Sequence, residues 1–309
     1  MSETNDRLER IGSSMIHNIC FEGGYNSYEK LVLKKPTPVN DPMERGLRFE
    51  LPIMQWAADV NGWTFRKTDT KRWEKDGVPY RDTPDFWGRS KDSDDEFICE
   101  VKSHSSWIED EYGEEYGSQV PERVAIQAQM HCEANHRDHC RVIAFFGSTR
   151  PRVYLVDRDP ELWGMIEQKC AKFWHDHVIP KVIPAVNGSA DCSKFLARIE
   201  QANDKLIEAE ATDIELDARL QDVEAQLTIW TAEKKKIQNH FRERISENLG
   251  VVGPDFKWTL KANKLKKVVD YKAITAELYP QHPDLFDKHT TYAEGSRILR
   301  RAKPRGAKS

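Results

Sequence analysis

Asp85, Glu100 and Lys102 lie in TPDFWGRSKDSDDEFICEVKS, residues 83–103, on the two sides of a polar turn. Side chains on a strand alternate faces, so Glu100 and Lys102 emerge together while Val101 turns towards the core. Asp85, at the end of an extended segment set by Pro84, reaches that same face if the two segments pair as a β-hairpin around SKDSDDE. Two carboxylates that close together repel unless a cation stands between them. Mg²⁺ suits the place, taking carboxylate oxygens at about 2.1 Å and keeping water ligands. A lysine two residues beyond one ligand can orient or deprotonate an attacking water, or offset charge on a pentacovalent phosphate, which suits phosphodiester hydrolysis. The bland alternative is a surface hairpin with a Glu100–Lys102 ion pair, because D…ExK is short and common.

The elements that must position these groups follow from periodicity. Glu44 to Ala58 reads as a helix with Leu47, Leu51, Met54 and Trp56 as apolar positions, tempered at its start by Pro52. Phe97 to Val101, Arg141 to Phe146 and Arg152 to Val156 read as strands. Arg123 to Asn135 reads as a helix, and Asp159 to His177 as a longer one stopped before Pro180. Helices alternating with short apolar strands predict an α/β or α+β core over residues 1–186.

A chain of 309 residues can bury one sizeable core and carry an accessory module as well. Its apolar runs fall short of the roughly 18 residues a membrane span needs, and MSETNDRLER lacks the apolar centre of a secretory signal, so the expectation is a cytoplasmic protein without a membrane partner. The six cysteines, at 20, 99, 132, 140, 170 and 192, form no CxxC pair and read as thiols. A net charge of −4 argues only weakly against nucleic acid, since a Mg²⁺ site must itself carry excess carboxylates. His131, His136, His139, His175 and His177 cluster in sequence, but on polar helix faces, beside an oxygen-ligand set that needs no imidazole.

Taken in order, several segments resemble the YqaJ-like viral recombinases, the branch of the PD-(D/E)xK nuclease superfamily that includes the phage lambda exonuclease. The resemblance runs from residue 7 to about 183. RLERIGSSMIHNI supplies Arg7 and Ser14, MERGLRFELPI supplies Glu50 after Gly46, TPDFW supplies Asp85, and ICEVKS supplies Glu100 and Lys102. VPERVAIQAQMHCEA supplies Gln127, six residues after its proline, and VDRDPELWGMIEQKCAKFWHDHVIP resembles the closing strand and helix. The chain departs in having Phe86 where glycine commonly follows PD, which leaves Trp87 to stack on a base or to pack, and in the acidic DSDDE turn.

The resemblance implies a restriction-endonuclease-like core, a mixed central sheet flanked by helices. It implies that Asp85, Glu100 and the Val101 carbonyl bind Mg²⁺, with Mn²⁺ as a substitute, and that Glu50 serves the same ion or a second one. Lys102 would act on the nucleophilic water and Gln127 would hold a water or the scissile phosphate. Arg7 and Ser14 would receive a terminal 5′-phosphate, with Ser13 as an adjacent competitor; read without the resemblance, Ser14 is a helix N-cap. Lys30, Lys34 and Lys35 are weaker DNA-contact candidates, solvated charge being their alternative.

Beyond residue 186 the pattern changes. Leu216, Leu220, Val223, Leu227 and Trp230 alternate steps of four and three, a heptad seam that predicts a helical hairpin or coiled coil over 187–249, packed internally or against another chain. Residues 250–309 form a small basic region, with Lys257, Lys261, Lys264, Lys266 and Lys267 and the tail RILRRAKPRGAKS.

The implied function is a metal-dependent 5′-to-3′ exonuclease on the ends of linear double-stranded DNA, leaving 3′ single strands for phage-type recombination. A single-strand-annealing recombinase is then a partner, and a ring-shaped trimer the family's means of enclosing DNA; the added helical region leaves this chain's assembly open. The alternatives are a restriction or repair endonuclease of the same superfamily and a non-catalytic DNA-binding recombination adaptor.

Overall fold

A computed structural model describes residues 6–36, 40–92, 95–147, 149–199, 205–261 and 271–290. They fall into two compact units, one reaching Ile199 and the other lying within residues 200–295.

The first unit opens with β1 (Ile11–Gly12), α1 (Ser13–Phe21), α2 (Tyr25–Leu31) and α3 (Asp41–Asn61). Strands β2 (Trp63–Lys67), β3 (Lys71–Lys75), β4 (Val78–Asp82), β5 (Phe86–Ser90) and β6 (Glu96–Ser103) follow. It closes with α4 (Glu122–Asn135), β7 (His139–Phe145), β8 (Arg152–Asp157), α5 (Pro160–Phe173) and α6 (Ala190–Ala197). The main sheet has the order β2-β5-β6-β7-β8, parallel between β6 and β7 and antiparallel elsewhere. A smaller sheet, β1-β4-β3, lies beside the residues that lead into β5.

The pleat of β6 sorts the core. Phe97, Cys99 and Val101 face α3 and pack with Ile53, Met54, Ala57 and Ala58. Ile98 faces α4 and packs with Val124, Ala128 and Cys132. Glu100 and Lys102 share that second face, so β6 points its charges at α4. The expected apolar face of α3 is partly corrected. Met54 is buried, whereas Leu47, Leu51 and Trp56 are exposed, because the helix rests on the sheet through the 53, 54, 57, 58 stripe. Pro52 lies inside α3 rather than at its start; Asn40 caps the helix by accepting from the Met43 N–H, and Gly62 ends it at φ 67°. The long helix after β8 begins with the Asp159 cap and Pro160, and passes into a π-helical turn at Trp174–Val178.

The first unit extends past residue 186, because α6 buries Cys192 and Phe195 among α1, α2 and α5. In the second unit the heptad seam lies on one uninterrupted helix, α7 (Ala211–Ile245), followed by the hairpin of β9 (Gly250–Val252) and β10 (Lys257–Thr259), then α8 (Tyr271–Leu278) and α9 (Pro283–His289). Lys264, Lys266, Lys267 and the RILRRAKPRGAKS tail lie outside the described residues. All six cysteines are free thiols. Among the described residues no helix is long and apolar enough to cross a membrane.

Candidate active site

β5 and β6 pair antiparallel with Phe86 opposite Cys99, and the Asp85 N–H donates to the Cys99 carbonyl at 3.1 Å. That register brings the Asp85 carboxylate to β6, where its Oδ2 accepts from the Val101 N–H at 2.7 Å. The hairpin predicted from spacing thus forms, with Asp85 beside Glu100 rather than out in the turn.

Glu100 is buried, and both its oxygens are held. Oε1 accepts from Lys102 Nζ and from Gln127 Nε2, each at 2.7 Å, while Lys102 Nζ also donates to Gln127 Oε1 at 2.8 Å. Oε2 lies 3.0 Å from His131 Nε2, and His131 Nδ1 lies 2.8 Å from Asp82 Oδ1. Burial works against the Glu100 carboxylate, but Lys102 and His131 outweigh it and hold its pKa at about 2. Burial likewise disfavours a charged His131, yet Asp82 and Glu100 hold it at about 10, so both ring nitrogens donate. Asn135 completes the line, donating to Asp82 Oδ2 at 3.3 Å and to the His131 carbonyl at 2.9 Å.

His131 corrects the expectation that the histidines occupy polar helix faces: it is fully buried. Gln127, His131 and Asn135 stand at i, i+4 and i+8 on α4, a polar stripe that the helical period alone would have drawn. Trp87 packs half-buried against the core, with the Arg137 and Arg66 guanidiniums 4.7 and 5.5 Å from its ring centre.

The expected metal ligands offer only oxygen, the donor set of a hard divalent cation. Burial, then Glu100 and Glu50, push the Asp85 carboxyl well above the usual range, with the Val101 N–H and Lys102 offsetting only part. This excess negative charge fits Mg²⁺ or Mn²⁺. Among the described residues no three such side chains stand in ligating geometry, since Glu100 turns to Lys102, Gln127 and His131, and Glu50 is paired with Lys67.

Beside this cluster lies a cavity of about 560 Å³, lined by Arg7, Ser13, Ser14, Lys30, Arg81, Thr83 and Gln127 among others. It gathers three of the residues expected at a 5′-phosphate or DNA contact. Ser14 is not the cap of α1; that place is Gly12, and Ser13 and Ser14 are its first two residues. Lys34 instead donates to the Leu8 carbonyl at 2.6 Å, and Lys35 lines a separate pocket with Glu29 and Asp191. Sequence reading missed Arg81 and Thr83. Arg81 is buried, its Nε 3.2 Å from Asp6 Oδ2 and its Nη2 3.5 Å from Thr83 Oγ1.

No family model matches the chain. It is similar to the uncharacterized protein YqaJ of Bacillus subtilis (strain 168), 24% identical over 197 residues that cover 62% of this chain and 59% of that protein. The chain therefore spans under two thirds of that relative's length. Among solved structures, it is similar to an alkaline exonuclease (LHK-Exo) from Laribacter hongkongensis, with a TM-score of 0.45, 16% identity, and coverage of 56% of this chain and 90% of that one. It is also similar to a phage-related exonuclease from Haemophilus somnus 129PT, with a TM-score of 0.40, 13% identity, and coverage of 58% and 98%. Over 197 residues the chain is thus similar to YqaJ, and its core is a mixed α/β fold built on a five-stranded mixed sheet.

Proposed function

We propose that the chain is a divalent-metal-dependent DNA exonuclease that digests linear duplexes from the 5′ end and leaves 3′ single strands. The observation that carries this reading is the double placement of Gln127, which binds Glu100 and Lys102 and also lines the cavity of Arg7, Ser14, Lys30 and Arg81. A cation-lined chamber thus adjoins the carboxylate cluster.

Asp85, Glu100, the Val101 carbonyl and Glu50 would hold one or two Mg²⁺ or Mn²⁺ ions, which when bound polarise the phosphate and lower the pKa of water. Lys102 places its ammonium between Glu100 and Gln127, where it can hold the attacking water and offset charge on the phosphate. Gln127 orients the group between cluster and chamber. Arg7 supplies charge-assisted donors and Ser14 a hydroxyl to a terminal 5′-phosphate, with Lys30 and Arg81 adding charge. Lys34 and Lys35, both exposed, would meet the backbone farther out. The same reading includes enclosure of the duplex by several copies, transfer of the product to a single-strand-annealing protein, and action in the cytoplasm.

The test compares linear duplexes bearing 5′-phosphate or 5′-hydroxyl ends with a closed circle, in Mg²⁺ and in EDTA. The expected result is digestion of linear DNA only, stopped by EDTA and faster from phosphorylated ends, with Arg7→Ala removing most of that preference. Cutting of the closed circle would establish an endonuclease instead. Equal rates on both ends would remove the phosphate chamber from the mechanism.

A further inference from the structure

The second unit presents a face that its own described residues leave bare. α7 has 35 residues, about 50 Å at 1.5 Å per residue. Along it Leu216, Leu220, Val223, Leu227, Trp230 and Ile237 are each between 47% and 67% exposed. Its far end is covered by the chain itself: the Phe241 ring stacks on Trp258 at 4.9 Å, and Ile245 is buried. The bare part is therefore the heptad seam from Leu216 to Ile237, interrupted only at Lys234.

Charge decides what covers it. Residues 211–230 hold five carboxylates, Asp213, Glu215, Asp217, Asp222 and Glu224, against Arg219. Residues 231–245 hold Lys234, Lys235, Lys236, Arg242 and Arg244 against Glu233 and Glu243. Beside a parallel copy, acid would lie on acid and Lys234 on Lys234. Beside an antiparallel copy, each acidic half meets a basic half, and the helix dipoles also oppose.

We infer that α7 pairs with α7 of a second copy of this chain as an antiparallel two-stranded coiled coil. A two-fold axis level with Ala225 sets Val223 against Leu227 of the partner subunit, Leu220 against the partner's Trp230, and Leu216 against the partner's Lys234. In the last pair the lysine stem lies over leucine while its ammonium reaches the Asp213 and Asp217 carboxylates. Apolar burial supplies the stability, and the segregated charges choose the orientation. The pairing is independent of the nuclease reading.

Sedimentation equilibrium on the full chain tests it. The wild type should have twice the mass of Leu220→Lys/Leu227→Lys, whatever association the first unit adds. Because those changes could disturb the helix, exposed charges provide a second arm. Asp213, Glu215 and Asp217→Lys alone, or Lys234, Lys235 and Lys236→Glu alone, should halve the mass, and the two sets combined should restore it. Only antiparallel pairing predicts that restoration. Equal masses for the wild type and every variant would overturn the inference, the seam then being covered by this chain's own residues or by a different protein. Loss of mass in the single sets without recovery in the combined one would overturn the antiparallel arrangement.

Discussion

Glu100 and Asp85 bear the same functional group on paired segments, yet their surroundings oppose one another. Glu100 is gripped by Lys102, Gln127 and His131, and its pKa is held at about 2 despite burial. Asp85 is half-buried, but its charged neighbours are chiefly the carboxylates Glu100 and Glu50, and its pKa is pushed well up. The difference separates two tasks. The Asp82–His131–Glu100 line fixes one carboxylate in place from behind, while Asp85, crowded by two other carboxylates, stands at the front, where the proposed cation belongs. His131 acts here as a positioning residue, holding Glu100 Oε2 and leaving Oε1 to the lysine and glutamine.

The largest effects should come from breaking the front. Lys102→Ala should lower turnover on linear duplex DNA by about 10²-fold or more with DNA affinity changed only a few fold, because in the proposed mechanism the ammonium acts on the reacting groups. Proportional loss of binding would make Lys102 a phosphate clamp. Asp85→Asn should abolish cleavage to at least the same degree, and isothermal titration with Mn²⁺ should show the ion's affinity falling with it.

The comparison sharpens in stability, where the same chemical change should have opposite signs at the two carboxylates. Measured by denaturant unfolding in EDTA near pH 8, Glu100→Gln should destabilise by about 3 kcal/mol, since it leaves half-buried Lys102 and fully buried His131 short of a counter-charge. Asp85→Asn should stabilise by about 1 kcal/mol, since it removes a carboxylate crowded by two others while keeping an acceptor for the Val101 N–H. Destabilisation of similar size in both variants would show that Asp85 is as well compensated as Glu100.

How much of this was legible in the sequence follows from the range of each interaction. The alternation Glu100–Val101–Lys102 needs only the pleat of one strand, and the reach of Asp85 only the adjacent hairpin, so both were readable. Gln127 came through the resemblance, while His131, one turn further along α4, reads as a polar-face histidine and Asn135, a turn beyond, carries no signal except the helical period that links all three. Asp82 and Arg81 were harder. They are adjacent on β4, so the pleat sends one towards His131 and the other to Asp6 and the cavity. Burial of both depends on β4 lying in the small sheet with β1 and β3, a pairing with no local signature. The apolar positions of α3 misled for a related reason: Leu47 and Leu51 have helical spacing with Met54, but the sheet reaches only the stripe beginning at Ile53.

The smallest effect concerns a second histidine on the cationic side of Lys102. His104 lies beyond the end of β6, its Nε2 2.8 Å from the Tyr112 hydroxyl. Burial, then Lys102, Arg123 and Arg45, lower its pKa from 6.5 to about 4, the reverse of His131 between its carboxylates. In that interval the unfolded chain takes up a proton that the folded protein refuses. Its contribution to stability is therefore full above pH 6.5 and lost as the pH falls towards 4. Glu100, held at about 2 against 4.5 in the unfolded chain, adds a slope of the same sign only at the acidic end of that window, and it does so equally with His104 present or replaced. Once partial solvent exposure is discounted, the loss should be about 1 kcal/mol, visible as a fall in Tm between pH 7 and 4.5. His104→Gln keeps a partner for Tyr112 and cannot be protonated, so its Tm should fall less over the same range. Parallel pH profiles for the two proteins would show that His104 is not held neutral by Lys102 and its neighbours, and that the division between the two ends of β6 is less sharp than their charges indicate.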